Sequence, residues 1–229
     1  MRIAVIRFPG SNCDQDAFHA LRDELGLAPE YVWHEQSSLA GFDGALLPGG
    51  FSYGDYLRCG AMASRSPVVE EVRRMAAEGR PVAGICNGFQ VLCEAGILPG
   101  ALMKNEGQKF ICRDVYLSPA NRTSIWTREA AGVLRIPIAH GEGRYVCEPD
   151  TLELLRERDL IAFRYCSPEG ELDPEYNFNG SVEAIAGVLN RKGNVIGMMP
   201  HPERATREEL GGADGKVILN AFAKVLAAL

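Results

Sequence analysis

The sequence predicts an α/β protein: a single domain with a mixed, largely parallel central sheet flanked by helices. Two observations support this prediction. The first half of the chain alternates short apolar runs with helical patterns, an order typical of parallel strands joined by covering helices. The second half is rich in strand patterns and closes with an amphipathic helix. Because the 229 residues contain no linker, repeat or low-complexity segment, we assign residues 1–229 to one domain.

The first half contains signals for the ends of two of its predicted helices. Asn12, with Gln15 three residues later, resembles a capping box with an unusual first member. Ser66 and Pro67 suit the cap and the first residue of the next helix, which Gly79 ends. The strands are predicted over residues 2–8, 31–34, 45–47 and 81–85, and the helices over residues 13–25, 67–79 and directly after residue 86.

The second half has strand-rich segments separated by turns. Residues 190–194, Asn-Arg-Lys-Gly-Asn, are predicted to form a turn between two apolar runs. A helix over about residues 214–229 would place Ile218, Phe222 and Leu226 on one apolar face. The strand-rich segments cover residues 109–117, 133–140, 161–166 and 182–199.

A long segment between residues 47 and 67 has little periodicity of either kind. Loops of this length inside a compact domain are uncommon and are usually functional or disordered. The segment is too apolar for disorder, so we interpret it as an ordered loop at the active site and at a partner interface. Alternatively, its side chains only cover the sheet. The apolar side chains are Phe51, Tyr53, Tyr56, Leu57 and Met62.

Composition argues against several classes of protein. The net charge is −6 and there is no run of lysine and arginine, so we expect no nucleic acid as partner. The apolar stretches are too short to span a bilayer, and Arg7 interrupts the first one in a way unlike a signal peptide. We therefore expect a cytoplasmic protein with no membrane association.

The cysteine pattern predicts reduced thiols. There are seven cysteines, an odd number, without a Cys-x-x-Cys pair and without the cysteine and histidine spacing of zinc sites. We expect no metal and no cofactor in this chain. Six of the cysteines are interpreted as mostly packing residues: Cys13, Cys59, Cys93, Cys112, Cys147 and Cys166.

The seventh, Cys86, lies in residues 84–88, Gly-Ile-Cys-Asn-Gly, between a predicted strand and a helical pattern. A side chain at such a sharp bend is exposed at the end of the strand, and the two glycines leave room for close packing. The start of the helix supplies unpaired N–H groups and a positive dipole end, which favour a thiolate. The pattern predicts a nucleophile, with a buried, inert thiol as the alternative.

A second motif, residues 199–203, reads Met-Pro-His-Pro-Glu. A residue before proline is extended, and alternate side chains of an extended chain point the same way. Glu203 is therefore predicted to orient the imidazole of His201. With Cys86, these residues supply the nucleophile, the base and the orienting carboxylate of an activated thiol. The alternative is a solvated, proline-rich turn.

These motifs resemble those of triad-type (class I) glutamine amidotransferases, whose fold is flavodoxin-like. The blocks at 51–58, 140–145 and 176–181 resemble, more closely still, the glutaminase subunits of phosphoribosylformylglycinamidine synthase, which act in purine biosynthesis. The resemblance runs from residues 7–14 to Glu203. It implies that Cys86 attacks the side-chain amide of glutamine, releasing ammonia and glutamate, with Cys86, His201 and Glu203 as the catalytic triad.

The negative oxygen of the tetrahedral intermediate in such a reaction requires preplaced donors. One predicted donor is the backbone N–H of Asn87, and the other is the N–H of Gly50 or Phe51, with Gly50 preferred. Gly49-Gly50 could also be only a turn.

The substrate pocket has a second set of predicted residues. Gln90, one helical turn beyond the thiol, can face the same pocket, or can be an ordinary surface residue. His140, Gly141 and Glu142 end a strand and are expected to line the pocket, although the imidazole of His140 is better explained as structural.

The chain has no glycine-lysine loop for ATP. The resemblance implies a large synthetase subunit that binds ATP and magnesium and a small third subunit. Together they would convert formylglycinamide ribonucleotide to formylglycinamidine ribonucleotide. Three alternatives remain open at this point: an amidotransferase subunit for pyridoxal phosphate, guanylate or anthranilate synthesis, an intracellular cysteine peptidase or small hydrolase, and an inactive binding module.

Overall fold

The structure is a computed structural model that describes residues 1–225. Its strands are β1 (Arg2–Arg7), β2 (Ala28–Trp33), β3 (Gly44–Leu47), β4 (Val82–Ile85), β5 (Ala101–Met103), β6 (Ile111–Pro119), β7 (Leu134–His140), β8 (Arg144–Val146), β9 (Ile161–Cys166), β10 (Ile185–Leu189) and β11 (Val195–Met198). Its α-helices are α1 (Asp14–His19), α2 (Pro67–Ala77), α3 (Asn87–Glu94), α4 (Pro149–Glu157), α5 (Gly215–Leu219) and α6 (Ala221–Val225).

The main sheet of the described chain has nine strands in the order β2-β1-β3-β4-β11-β10-β9-β6-β7. The pairs from β2 to β11 are parallel, and those from β11 to β7 are antiparallel. Since only β10 and β6 oppose both of their neighbours, seven of the nine strands run in the same direction. The prediction of a mixed, largely parallel α/β sheet is therefore confirmed.

The common direction of these strands brings distant parts of the chain to one edge of the sheet. The carboxyl ends of β1, β3, β4, β7 and β11 all lie at this edge, because they run the same way. In open α/β sheets ligands bind beyond these ends. The segments that follow the five strands carry the motifs identified in the sequence.

Several helix details differ from the predictions. The helix predicted over residues 13–25 is α1 followed by a π-helical segment, Ala20–Glu24. The capping box is wrong: Cys13 is the N-cap of α1, and no side chain caps this end. The closing helix is divided at Asn220, and residues 226–229, which include Leu226 of its predicted face, lie outside the described residues.

Some elements were not predicted from the sequence. β5 and β8 form a separate two-stranded sheet and have three residues each, too short for a periodic pattern. Helix α4 was missed although Pro149 occupies its first turn. None of the helices within residues 1–225 combines the length and apolar character needed to cross a membrane.

Helix α3 packs against the sheet through glycines on both sides of the contact. Gly197 on β11 is paired in register with Gly84 on β4. A Cβ atom on Gly197 would lie 2.1 Å from the Phe89 ring, and one on Gly88 would lie 2.0 Å from the Leu47 carbonyl oxygen. These distances are shorter than van der Waals contact allows, so only glycine permits α3 to approach so closely.

We expect Gly197→Ala to destabilise the protein by about 1–3 kcal/mol, because the added methyl group overpacks the contact with Phe89. Urea unfolding of the two proteins measures the difference. Gly107→Ala is the control, since a Cβ atom there has no neighbour within 4 Å. Equal losses in both variants would contradict this account of the packing.

Candidate active site

Cys86 occupies a sharp bend between β4 and α3. Its backbone has φ 51° and ψ −106°, in the left-handed half of conformational space that a residue with a side chain rarely adopts. Its N–H donates to the Met198 carbonyl oxygen at 2.8 Å, and α3 begins at the next residue. This is the strained strand-to-helix turn expected of a nucleophile elbow.

His201 and Glu203 follow β11 at the same edge of the sheet. The imidazole Nδ1 lies 2.6 Å from a carboxylate oxygen of Glu203, and both side chains are at most 2% exposed. The backbone N–H of His201 donates to the Pro137 carbonyl oxygen at 2.8 Å. The other ring nitrogen, Nε2, is buried and has no hydrogen-bond partner among the described residues. It is therefore available to interact with the Cys86 thiol.

The charge state of this imidazole reflects opposing effects. Burial lowers the pKa of His201, but the Glu203 carboxylate and the neighbouring thiols of Cys86 and Cys13 outweigh burial and hold that pKa well above its usual value of 6.5. A buried charge of this kind is tolerated because the carboxylate compensates it. The site therefore favours an imidazolium, the partner that stabilises a thiolate.

Cys13 is a second thiol at this site, and sequence reasoning placed it among the packing residues. Ligand-type atoms of Cys13, His201 and Glu203 lie within 4.8 Å of one another. Thiolate, imidazole and carboxylate are zinc ligands, so within residues 1–225 this is the group of side chains that could hold a metal. The one sequence signal that could have indicated a place for Cys13 at the site was its position in the block at residues 7–14, where the family resemblance begins.

The Gly49–Gly50 peptide has a defined orientation beside the triad. The Gly49 carbonyl oxygen accepts hydrogen bonds from the N–H groups of Asn12 and Cys13, at 3.4 and 3.2 Å. Because a trans peptide directs its C=O and N–H groups oppositely, the Gly50 N–H points away from these partners.

Of the three predicted oxyanion donors, the N–H groups of Gly50 and Asn87 have no hydrogen-bond partner within residues 1–225, whereas that of Phe51 has one. The Phe51 N–H donates to the Gly10 carbonyl oxygen at 2.9 Å, whereas no hydrogen bond within residues 1–225 uses the Gly50 N–H. Asn87 is the first residue of α3, where backbone donors have no partner within the helix. In this conformation, Gly50 and Asn87 are the available donors.

Gln90 is buried and connects α3 to the segment after β7. Its amide nitrogen donates to the Glu142 carbonyl oxygen at 2.6 Å, and its amide oxygen accepts from the Asn87 side chain at 2.9 Å. The Asn87 side-chain oxygen also lies 3.3 Å from the Ser52 N–H. The alternative of an ordinary surface residue is therefore wrong, and Gln90 contacts the segment at 140–142 through the backbone of Glu142.

His140, at the end of β7, is held by a buried asparagine. Its Nδ1 lies 3.0 Å from the Asn105 side-chain oxygen, while the Asn105 amide donates to the His140 carbonyl oxygen at 2.9 Å. The Asn105 N–H also donates to the Gly141 carbonyl oxygen at 2.9 Å. Burial lowers the pKa of His140 to about 4, with the nearby His201 charge as a further cause. His140 is therefore neutral at physiological pH.

Two acidic side chains surround a buried thiol near this segment. Burial raises the pKa of Asp55, and the nearby Glu142 raises it further, against a hydrogen bond with Cys59. Burial, with these two carboxyl groups, raises the pKa of the Cys59 thiol. Asp55 also approaches the Asn87 side chain at 3.5 Å. Two carboxyl groups outside the triad therefore lie near Cys59, and one of them approaches the residue that follows Cys86.

Comparison with known proteins places these features in context. The family model for the CobB/CobQ-like glutamine amidotransferase domain matches residues 1–211. A chain in the structure of PurLQS from Thermotoga maritima is 44% identical, with 98% of each chain covered and a TM-score of 0.86.

Two more distant structures share the fold. A glutamine amidotransferase from Thermotoga maritima is 18% identical, with 100% of this chain and 84% of that chain covered and a TM-score of 0.55. The glutaminase domain of Trypanosoma brucei CTPS is 15% identical, with 98% of this chain and 94% of that chain covered and a TM-score of 0.58.

We expect the two buried histidines to titrate far apart in NMR spectra. His201 remains protonated above pH 6.5, and Glu203→Gln lowers its pKa because the compensating negative charge is lost while burial remains. His140 protonates only near pH 4. A normal titration of both residues near pH 6.5, with folding intact, would contradict the described electrostatics.

Proposed function

The chain belongs to the CobB/CobQ-like glutamine amidotransferase family, and from that membership we propose that it is the glutaminase subunit of a phosphoribosylformylglycinamidine synthase. The observation that carries the proposal is the 44% identity, over 98% of both chains, with a chain of the PurLQS structure. The motif blocks at 51–58, 140–145 and 176–181 also resemble the glutaminase subunits of this synthase. Enzyme activity, glutamine as substrate and association with a synthetase subunit follow from this relationship.

The reaction is divided between subunits. This chain releases ammonia from glutamine, and a large synthetase subunit, which binds ATP and magnesium, uses the ammonia to form formylglycinamidine ribonucleotide. A small third subunit completes the proposed complex. Neither nucleic acid nor a membrane has a role in this proposal.

The proposed chemistry begins with the thiol. The proton of Cys86 already resides on Nε2 of His201 in the resting ion pair, and the Cys86 thiolate attacks the side-chain carbonyl carbon of glutamine. The carbon–nitrogen bond breaks, ammonia leaves with that proton, and a thioester remains on Cys86. His201 then activates a water molecule, which hydrolyses the thioester to glutamate and returns the thiol. Glu203 holds the imidazole and stabilises its charged form.

The oxyanion formed at each step is proposed to accept hydrogen bonds from the Gly50 and Asn87 N–H groups. Their lack of other partners among the described residues supports this assignment, because donors already directed at the developing charge need no reorganisation. Phe51 can take part only if its 2.9 Å hydrogen bond to Gly10 breaks.

The opposite end of glutamine is proposed to lie near Gln90 and residues 140–142. Glutamine has an ammonium and a carboxylate group at its α-carbon. The carboxyl groups of Glu142 and Asp55 suit the ammonium, and the connected amide of Gln90 offers both a donor and an acceptor. Backbone groups of Gly141 and the neutral imidazole of His140 complete this proposed pocket.

We propose that a rearrangement opens the triad to glutamine. Cys86 is 6% exposed and His201 is 1% exposed, so movement of a neighbouring loop would widen the access of the substrate to the thiol. The loop next to Gly50 is the element best suited to move: Tyr53, Asp55 and Leu57 all have positive φ angles, which are strained for such residues.

The same loop exposes apolar surface. Tyr56 is 74% exposed and Leu57 is 91% exposed. Exposed apolar groups beside an active site are typical of an interface. We propose that the synthetase subunit docks on these side chains and shifts the loop, together with the Gly50 N–H, into its active arrangement.

Cys86→Ser and Cys86→Ala should abolish glutamine-dependent synthesis by the assembled complex and leave ammonia-dependent synthesis largely intact, since only cleavage of the amide needs the thiol. Both activities are measured on the same preparations. If the intact mutant complex also lost its ammonia-driven reaction, the proposed division of labour would be wrong.

His201→Ala should reduce glutaminase activity at least as much as Glu203→Ala, because the imidazole moves protons while the carboxylate orients it. Glu203→Gln keeps a hydrogen bond and loses the charge, so its rate should lie between those of wild type and Glu203→Ala. Steady-state rates in the assembled complex measure the order. A variant with full activity removes its residue from the triad.

The isolated chain should hydrolyse glutamine weakly and be stimulated by the synthetase subunit. One misplaced oxyanion donor costs about 100- to 1,000-fold in rate, so reorientation of one peptide makes stimulation of that order available. Tyr56→Ala and Leu57→Ala should reduce the stimulation. Leu172→Ala is the control and should not, because Leu172 is an exposed apolar residue (59% exposed) outside this loop. Full activity of the chain alone, unchanged by partner or loop variant, contradicts the proposal.

A further inference from the structure

The block at residues 7–14 has no part in the proposed reaction, yet one of its residues lies against the triad. Cys13 is buried, and its backbone N–H holds the Gly49 carbonyl oxygen at 3.2 Å. That carbonyl belongs to the same peptide as the Gly50 N–H, so the position of Cys13 determines the direction of a proposed oxyanion donor.

The side chain of Cys13 reaches in the other direction, toward the base. Its Sγ belongs to the group of atoms within 4.8 Å of one another that includes His201 and Glu203. A Cβ atom on Gly49 would lie 3.0 Å from this sulfur and 2.7 Å from Cε1 of His201. Cys13 and Gly49 therefore pack together against the imidazole, with no room for a larger group at Gly49.

Arg204 donates a hydrogen bond to the Cys13 sulfur. Its Nη2 donates to the Cys13 Sγ at 3.2 Å, and its Nε donates to Asp16 at 2.9 Å. Asn12 accepts from the same thiol at 3.2 Å. Because Arg204 follows Glu203 directly, its guanidinium connects the turn that carries His201 and Glu203 to the start of α1.

We propose that Cys13 and Arg204 are positioning residues, which hold the His201–Glu203 pair in register with the Gly49–Gly50 peptide. The inference rests on the proposed function of this site. A metal at Cys13 is disfavoured, because the guanidinium of Arg204 already places a positive charge at hydrogen-bond distance from the sulfur.

The first part of the test uses glutamine kinetics of the assembled complex. Cys13→Ala and Arg204→Met should lower kcat by about 10- to 100-fold, since small displacements of a base are costly, and should leave KM within about twofold. Cys13→Ser and Arg204→Lys keep a hydrogen-bonding group and should recover most of the rate. Arg207→Met is the matched control, because the Arg207 side chain is half exposed and pairs only loosely with Glu24, at 4.0 Å.

The second part needs no glutamine. Iodoacetamide labelling of Cys86, resolved by peptide mass spectrometry, should slow in Cys13→Ala and Arg204→Met, because a displaced imidazole no longer supports the thiolate. The exposed Cys112 in the same samples should react at an unchanged rate. This readout separates the two proposals: a wild type without glutaminase activity refutes the function, whereas the labelling still tests the positioning.

Three outcomes would overturn the inference: wild-type kcat in Cys13→Ala, a change in KM alone, or no recovery in the conservative variants. Preferential labelling of Cys13 would instead identify it as a nucleophile and also reject a positioning role. Thermal unfolding and ammonia-dependent synthesis establish that each variant is folded and assembled. Should Cys13→Ala fail to fold, the Arg204→Met and Arg204→Lys pair decides.

Discussion

The site depends on one close approach, that of the Gly49 α-carbon to the triad. A Cβ atom there would lie 2.7 Å from the His201 ring, 3.0 Å from the Cys13 sulfur and 3.4 Å from the Cys86 Cβ. Three chain segments from three strand ends therefore meet around a residue that has no side chain. Because protein interiors are densely packed, we expect a displacement at any of these groups to affect the others, so that the proposed base, nucleophile and oxyanion peptide depend on one another.

The two halves of the sheet contribute different parts of the site. The parallel half supplies Cys86, His201 and the glycine peptide, which take part in the proposed chemistry. The antiparallel half supplies β7, whose end carries His140 and the segment that accepts a hydrogen bond from Gln90. The buried amide of Gln90 connects the two halves through hydrogen bonds with Asn87 and with the backbone of Glu142.

Local patterns predicted the central features of the site. The elbow at Cys86 could be recognised because the strand, the bend and the helix are adjacent in the chain, and the spacing of His201 and Glu203 because proline fixes an extended backbone. The contact of Cys13 with Arg204 spans 191 residues, and the support of His140 by Asn105 spans 35. The hydrophobic periodicity of the sequence contains no information on contacts between residues so far apart in the chain. The hydrogen bond that occupies the Phe51 N–H was hidden for the same reason, since its acceptor, Gly10, follows a different strand.

The position of β11 has a consequence for the making of the protein. This strand is the last of the described chain, yet it lies in the interior of the sheet, between β4 and β10. During synthesis the amino-terminal segments emerge and begin to fold first. β4 and the turn at Cys86 are therefore made well before β11, the strand that pairs with β4 in the centre of the sheet. His201 follows that strand directly. Cys86 and its proposed base, His201, can therefore meet only after synthesis has passed β11, and a nascent chain that ends before this strand lacks the assembled pair.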